Sequence, residues 1–161
     1  MKSLKVGDLI PDFSLPDQNG NLFDIRTLLG KKKLVIFFYP KDGSHGCTKE
    51  ACYFRDLSDS FNEADAEIIG ISGQTIESHK DFAEHYNLKY PLLSDTGNRI
   101  RKLFGVPAYG LGMIPGRVTY IANKEGKVVY IFNSQVKVER HVDEALKVVL
   151  LLKKTDFVNA G

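Results

Sequence analysis

The chain carries two thiols, Cys47 and Cys52, and both lie in one stretch, PKDGSHGCTKEACYFRD, residues 40–56. Cys47 comes after a continuous apolar run, LVIFFY (34–39), and a hydrophilic loop holding Gly43 and Gly46. Such a run reads as a buried strand, and the residues after it, from about Ser44 to Thr48, read as the opening of a helix. Ligands of open α/β sheets bind beyond the carboxyl ends of the strands. A helix N-terminus there offers unpaired N–H groups and the positive end of the macrodipole, which favour a thiolate. The alternative is a small, inert, buried cysteine, and the strand-to-helix position argues against it. The spacing is itself informative. Five residues on a helix turn ~500° and rise ~7.5 Å, so the two Cα atoms stand roughly 8.7 Å apart. A disulfide needs them within about 7 Å, so these thiols cannot bond within one intact helix.

Other residues in and around the stretch could support or redirect a thiol. Glu50, one turn after Cys47, could orient a cation or simply be a first-turn acid favoured by the dipole. His45 reads first as solvent-facing, with a role at the site as the lesser reading. His79, His85 and His141 carry no motif and read as surface residues. A thiol–disulfide oxidoreductase would want CxxC rather than Cys-x4-Cys. A structural zinc site would want four ligands in paired short spacings, and Cys47, Cys52 and His45 have no second pair, so a metal-binding reading would have to import ligands from distant histidines. GLGMIPG (110–116) is glycine-rich but lacks the register of a dinucleotide loop.

Size and charge narrow the classes further. The chain has 161 residues, enough for one domain with a core that needs no staples. Lys and Arg number 22 against 20 Asp and Glu, a net charge of +2, so neither nucleic acid nor an anionic membrane is implied as a partner. Lys31–Lys33 and Lys153-Lys154 read as solvated flanks of buried elements. No apolar run reaches membrane-spanning length, and MKSLKVGDLIPDF lacks the apolar core of a secretory signal. Two cysteines make no disulfide scaffold, so a reducing compartment, the cytoplasm, is the expectation, with a transit peptide removed before residue 1 the alternative.

The elements that must position these residues alternate. Asn19-Gly20 between short apolar runs signals an N-terminal hairpin. After the strand at 34–39, one helix is expected to run from 44–48 to about Ala64, then a strand at 66–72. A helix capped by Thr75 or Ser78 reaches Asn87, followed by a strand at 90–95 and a short helix at 98–104. RVTYIAN and KVVYIFN form a hairpin around Lys124-Glu125-Gly126, and a closing helix covers 139–153, leaving a tail at 154–161. Right-handed crossovers make the first three sheet strands parallel. The order predicts an α/β protein, a thioredoxin-like fold with a central mixed sheet covered on both faces and an added N-terminal hairpin.

The segment FYPKDGSHGCTKEAC resembles the active-site segment of the peroxiredoxins, specifically the bacterioferritin-comigratory or Q subfamily. The pattern Pro-x-x-x-Thr/Ser-x-x-Cys is met by Pro40, Ser44 and Cys47, and Cys52 fits the subfamily's second cysteine. PDFSLPDQNG, PGRVTYI around Arg117 and NSQVKVERHVDEAL extend the resemblance over about residues 4–150. It implies a thiol peroxidase for hydrogen peroxide and alkyl hydroperoxides that uses no metal or organic cofactor. Cys47 would be the nucleophile, Arg117 and Ser44 its polar partners and Pro40 a shield. Cys52 would resolve the sulfenic acid through a Cys47–Cys52 disulfide after the helix unwinds. A thioredoxin- or glutaredoxin-like reductant and a monomeric state are implied as well. Two positions depart from the pattern: Ser44 stands where threonine is commoner and His45 where proline is common.

Overall fold

In a computed structural model of the chain, residues 3–160 are described, with side chains as far as Lys153. Strands β1 (Ser14–Pro16) and β2 (Leu22–Asp24) form the expected hairpin, its turn closed by the Gly20 N–H on the Asp17 carbonyl at 3.0 Å. Then follow β3 (Lys33–Phe38), α1 (His45–Asp56), α2 (Ser58–Glu63), β4 (Ala66–Ser72), α3 (Ile76–Tyr86), β5 (Leu92–Ser94) and α4 (Arg99–Phe104). A short ribbon, β6 (Ala108–Tyr109) and β7 (Ile114–Pro115), precedes β8 (Val118–Ala122), β9 (Val128–Asn133) and α5 (Val138–Ala160).

Five strands make one mixed sheet in the order β5-β4-β3-β8-β9. Strands β3, β4 and β5 are parallel, β8 runs antiparallel to β3, and β9 antiparallel to β8, as the crossovers and the hairpin signal require. The central strand β3 is buried along its whole length, which is why its sequence shows no alternation. Val35, Phe37 and Tyr39 face a core closed by α1, α2, α3 and α5; Leu34, Ile36 and Phe38 face a second core. That second core is closed by α4 and the N-terminal segment, so one helix and a hairpin suffice there. Gly70 of β4 makes room for the first core: a Cβ there would sit 2.9 Å from both Phe37 and Leu92.

Four expectations change. The helix expected from 44 to 64 is two, divided at Leu57, whose φ of −100° and ψ of 9° leave the helical region. The break lets Phe61 turn in against Phe54, with ring centroids 5.7 Å apart. The closing helix keeps its backbone helical to Ala160, through the expected tail; Gly161 and the side chains beyond Lys153 lie outside the described residues. Lys33 is buried rather than solvated, its ammonium donating to the Ala64 carbonyl at 3.0 Å. His79 and His141 are fully buried, where surface positions were expected. Of the two candidate caps for α3, Thr75 does the work, accepting from the Ser78 N–H at 3.1 Å.

Candidate active site

The loop from Pro40 to Ser44 leaves β3 and enters α1 at its N-terminus. Cys47 lies in the first turn of α1 and is 1% exposed. Arg117 stands at the entrance to β8. The antiparallel register sets Val118 opposite Phe38, so the start of β8 lies beside the end of β3. Alternation along β8 then sends Thr119 and Ile121 to the α1–α5 side, and Arg117 with them. Two residues 70 apart in sequence are joined in this way: Arg117 Nη2 donates to Cys47 Sγ at 3.3 Å.

Two further acceptors hold the guanidinium. Its Nη1 donates to Glu50 Oε1 at 2.7 Å, and its Nε to the Gln135 carbonyl at 3.1 Å. Gly46 keeps the third side open, since a Cβ there would stand 3.2 Å from Nη2. Burial works against the charge of Arg117, but Glu50 and Cys47 outweigh it and hold its pKa above the usual arginine value. Burial pushes Glu50 the other way, from 4.5 up to about 7, against the pull of Arg117. Its second oxygen, Oε2, has no hydrogen-bond partner and lies 3.7 Å from His141 Nδ1.

The other predicted residues are near but less engaged. Ser44 is the N-cap residue of α1; its hydroxyl donates to the Lys41 carbonyl at 3.1 Å and makes no cap bond. His45 is exposed and Pro40 half-buried. Cys52 is on the same intact helix as Cys47, and both are free thiols. It opens on a cleft lined by Lys49, Tyr53, Asp56 and Glu139, and partial burial pushes its thiol pKa up. The cleft joins α1 to α5 through Lys49–Glu139 at 2.7 Å and a short hydrogen bond from the Tyr53 hydroxyl to Asp143. Beneath α1, the Tyr90 hydroxyl donates to the Ala51 carbonyl at 2.8 Å.

Sequence reasoning missed Asp42 and His79. Asp42 Oδ1 accepts from the Tyr39 hydroxyl at 2.6 Å, and Oδ2 accepts from Ser78 at 2.7 Å and His79 Nδ1 at 2.6 Å. His79 Nε2 faces the Leu93 carbonyl at 3.1 Å. The buried ring therefore bridges Asp42 and the Leu93 carbonyl. Burial pushes the Asp42 pKa up, but these bonds outweigh it and hold it below the usual carboxylate value. The network ties the Pro40–Ser44 loop to α3, and no short motif announces it.

Comparison with known proteins now bears on this geometry. A model of the AhpC/TSA family matches residues 6–131. The chain is 47% identical over 147 residues to the chloroplastic peroxiredoxin Q of Sedum lineare, covering 91% of this chain and 78% of that one. The chain is a peroxiredoxin of the AhpC/TSA family. It is 50% identical over 141 residues to the chloroplastic peroxiredoxin Q of Arabidopsis thaliana, covering 88% of this chain and 65% of the relative. Among solved structures, peroxidoxin BcpB of Mycobacterium tuberculosis superposes with a TM-score of 0.86 at 38% identity, covering 92% of this chain and 97% of that one. Peroxiredoxin Q of Xanthomonas campestris gives 0.83 at 32%, covering 93% and 97%. These likenesses carry the thioredoxin-like fold that the element order predicts. The family makes this peroxiredoxin a thiol-dependent peroxidase. Among its described residues no helix is long and apolar enough to cross a membrane, and no group of three or more His, Cys, Asp or Glu could hold a metal ion.

Proposed function

We propose that this peroxiredoxin reduces hydrogen peroxide and alkyl hydroperoxides with Cys47 as nucleophile, and that Cys52 resolves the product. The contact of Arg117 Nη2 with Cys47 Sγ at 3.3 Å, at a cysteine only 1% exposed, carries the reading. A fixed cation beside the sulfur stabilises a thiolate and, as the O–O bond breaks, the charge developing on the leaving oxygen. The thiolate attacks one peroxide oxygen: the S–O bond forms, O–O breaks, and the departing oxygen takes a proton as water or alcohol. Ser44 turns its hydroxyl from the Lys41 carbonyl toward the bound peroxide, which it can both accept from and donate to. Pro40 shields the entrance, and Glu50 orients Arg117. His45 remains solvent-facing.

Resolution follows from helix geometry. With both cysteines in α1, Cys52 reaches the sulfenic sulfur only after the turns between them open. The resulting disulfide, outside helical geometry and solvent-accessible, suits a thioredoxin- or glutaredoxin-like reductant. A monomer in a reducing compartment such as the cytoplasm meets these needs, with no metal, cofactor, nucleic acid or membrane involved.

The test is a pair of substitutions. Cys47→Ser should abolish peroxide consumption. Cys52→Ser should keep the first turnover, lose thioredoxin-supported cycling and overoxidise at Cys47. Peptide mapping after one equivalent of peroxide should find a Cys47–Cys52 disulfide in the parent protein. Turnover in Cys47→Ser overturns the nucleophile assignment, and undiminished cycling in Cys52→Ser overturns the resolving step.

A further inference from the structure

The loop that joins β3 to α1 carries Pro40 and Ser44, yet most of its own bonding is local. The Ser44 N–H and hydroxyl both reach the Lys41 carbonyl, at 3.5 and 3.1 Å, and Gly43 turns the chain at a φ of +78°, a value that favours glycine. Bonds of this kind set the shape of a turn but not its place on the molecule. Asp42 sets the place. Its side chain is only 5% exposed and accepts three hydrogens. The Tyr39 hydroxyl donates to Oδ1 at 2.6 Å; the Ser78 hydroxyl and His79 Nδ1 donate to Oδ2 at 2.7 and 2.6 Å.

Those donors stand on elements outside the loop. Tyr39 ends the central strand, buried in the same core as Cys47, with its N–H on the Ile71 carbonyl at 3.1 Å. Ser78 and His79 lie in the first turn of α3. The far side of the His79 ring rests on β5, its Nε2 3.1 Å from the Leu93 carbonyl. Asp42 is thus fixed against β3, α3 and β5, two residues before Ser44 and five before Cys47. A buried polar cluster of this kind often adds little net stability, because taking a carboxylate out of water costs about what its bonds return. What it supplies is position. Three directional bonds to one carboxylate leave it one place to stand. Attack on a peroxide needs such placement, since the sulfur, the Ser44 hydroxyl and the incoming oxygen must be held in line.

We propose that His79, through its bond to Asp42, is a positioning residue for the peroxide step: the pair pins the loop after β3 to α3, so that Ser44 and the first turn of α1 meet the peroxide in one arrangement. The proposal rests on Cys47 as nucleophile and gives α3 a part in the reaction. Both residues act through the loop and not on the sulfur. Without the bond, the loop keeps its turn at Gly43 but slides as a unit, carrying Ser44 away from its place beside Cys47. A displacement of about 1 Å in a reacting group can cost ~100-fold in rate. The charge at the sulfur is untouched, because Arg117 is held by Glu50 and the Gln135 carbonyl, both outside the loop.

The test compares two substitutions with opposite defects. His79→Phe fills the space of the ring but has no donor; His79→Asn leaves space unfilled but can place an amide N–H close to the position of Nδ1. In the reduced full-length protein, stopped-flow oxidation of the Cys47 thiol by hydrogen peroxide should slow roughly tenfold or more in His79→Phe. In His79→Asn it should stay within about threefold of the parent, whichever variant has the higher Tm. Asp42→Ala should be slow as well, and adding His79→Phe to it should cost nothing further, because both break one link. Before peroxide is added, NMR of the parent should show the His79 Nδ1 proton far downfield, the mark of a short bond to a carboxylate. Absence of that resonance in the parent overturns the proposal even if the variants fold poorly. A His79→Phe as fast as the parent, a His79→Asn as slow as His79→Phe, or additive losses in the double variant overturn it too. Failure of the nucleophile reading looks different: Cys47 of the parent would not be oxidised, and Cys47→Ser would keep its turnover.

Discussion

Replacing Tyr90 by phenylalanine should loosen helix α1 while sparing the thiol site. The Tyr90 ring packs edge-on to Phe37 with centroids 5.9 Å apart, and phenylalanine keeps that packing. What is lost is the hydroxyl bond to the Ala51 carbonyl, four residues after Cys47 and one before Cys52. That carbonyl must move if the two sulfurs are to meet. It keeps its place in the helical ladder without the hydroxyl, so the loss is that of one net hydrogen bond, about 1 kcal/mol. If the bond is broken in the opened form, the opening equilibrium rises about fivefold at 25 °C. Hydrogen exchange over residues 47–53 of the reduced protein should quicken by that factor. Disulfide formation after one equivalent of peroxide, followed by quenched mass spectrometry, should quicken equally. The first oxidation step should stay at the parent rate, since Cys47 and Arg117 are untouched. Sulfinic acid at high peroxide should fall, because resolution now competes better. Faster exchange with an unchanged rate of disulfide formation would refute the argument that opening of α1 delivers Cys52.

Three further outcomes follow from the site. Arg117→Met should slow the first oxidation roughly 100-fold or more, the usual loss for a donor at a developing anion, read by stopped-flow fluorescence or competition kinetics. Gly46→Ala should raise or preserve Tm, since alanine gains up to about 1 kcal/mol in a helix, yet slow oxidation, because its Cβ would stand 3.2 Å from Arg117 Nη2 and 3.5 Å from Val138. The pH dependence of stability should be flat in the parent and sloped in Glu50→Gln. The folded His141 stays neutral down to about 4 while its unfolded form takes a proton near 6.5, so it makes stability fall as pH drops through that window. Glu50 keeps a proton up to about 7 when folded and releases it near 4.5 when unfolded, so it makes stability rise as pH drops from 7 to 4.5. Without Glu50 the histidine acts alone, and urea midpoints from pH 6.5 to 4.5 should fall relative to the parent by the equivalent of about 2–3 kcal/mol. Parallel profiles for the two proteins would contradict the opposed titrations.

The parts of the molecule legible in the sequence are those whose cause is local. Residues 34–39 announce a central strand because burial on both faces removes alternation, and Thr75 announces a helix start because its hydroxyl takes a nearby N–H. The break at Leu57 has no glycine or proline to mark it and depends on how Phe61 reaches Phe54. The β6–β7 ribbon is too short for any period to show. His79 and His141 looked like surface residues because their partners are the carbonyls of Leu93 and Ser134 and side chains 22 to 37 positions away. Backbone acceptors leave no trace in residue types. Arg117 was visible only through family resemblance: arginine before a strand is common, and what sets it apart is the strand's register against β3.

That register has a consequence for synthesis. Cys47 leaves the ribosome 70 residues before Arg117, and Thr119 and His141 come later still. Local helix formation can complete α1 early, but nothing within it supplies the cation. The pairing of β8 beside β3 closes a long loop, the kind of contact that forms late. A nascent chain should therefore carry an unarmed thiol until β8 has emerged. Ribosome-bound chains stalled a few residues before Arg117 clears the exit tunnel should alkylate at Cys47 like an unstructured cysteine. The released protein should react as a peroxidase, and a stalled chain that already does so would show that the strand end is dispensable.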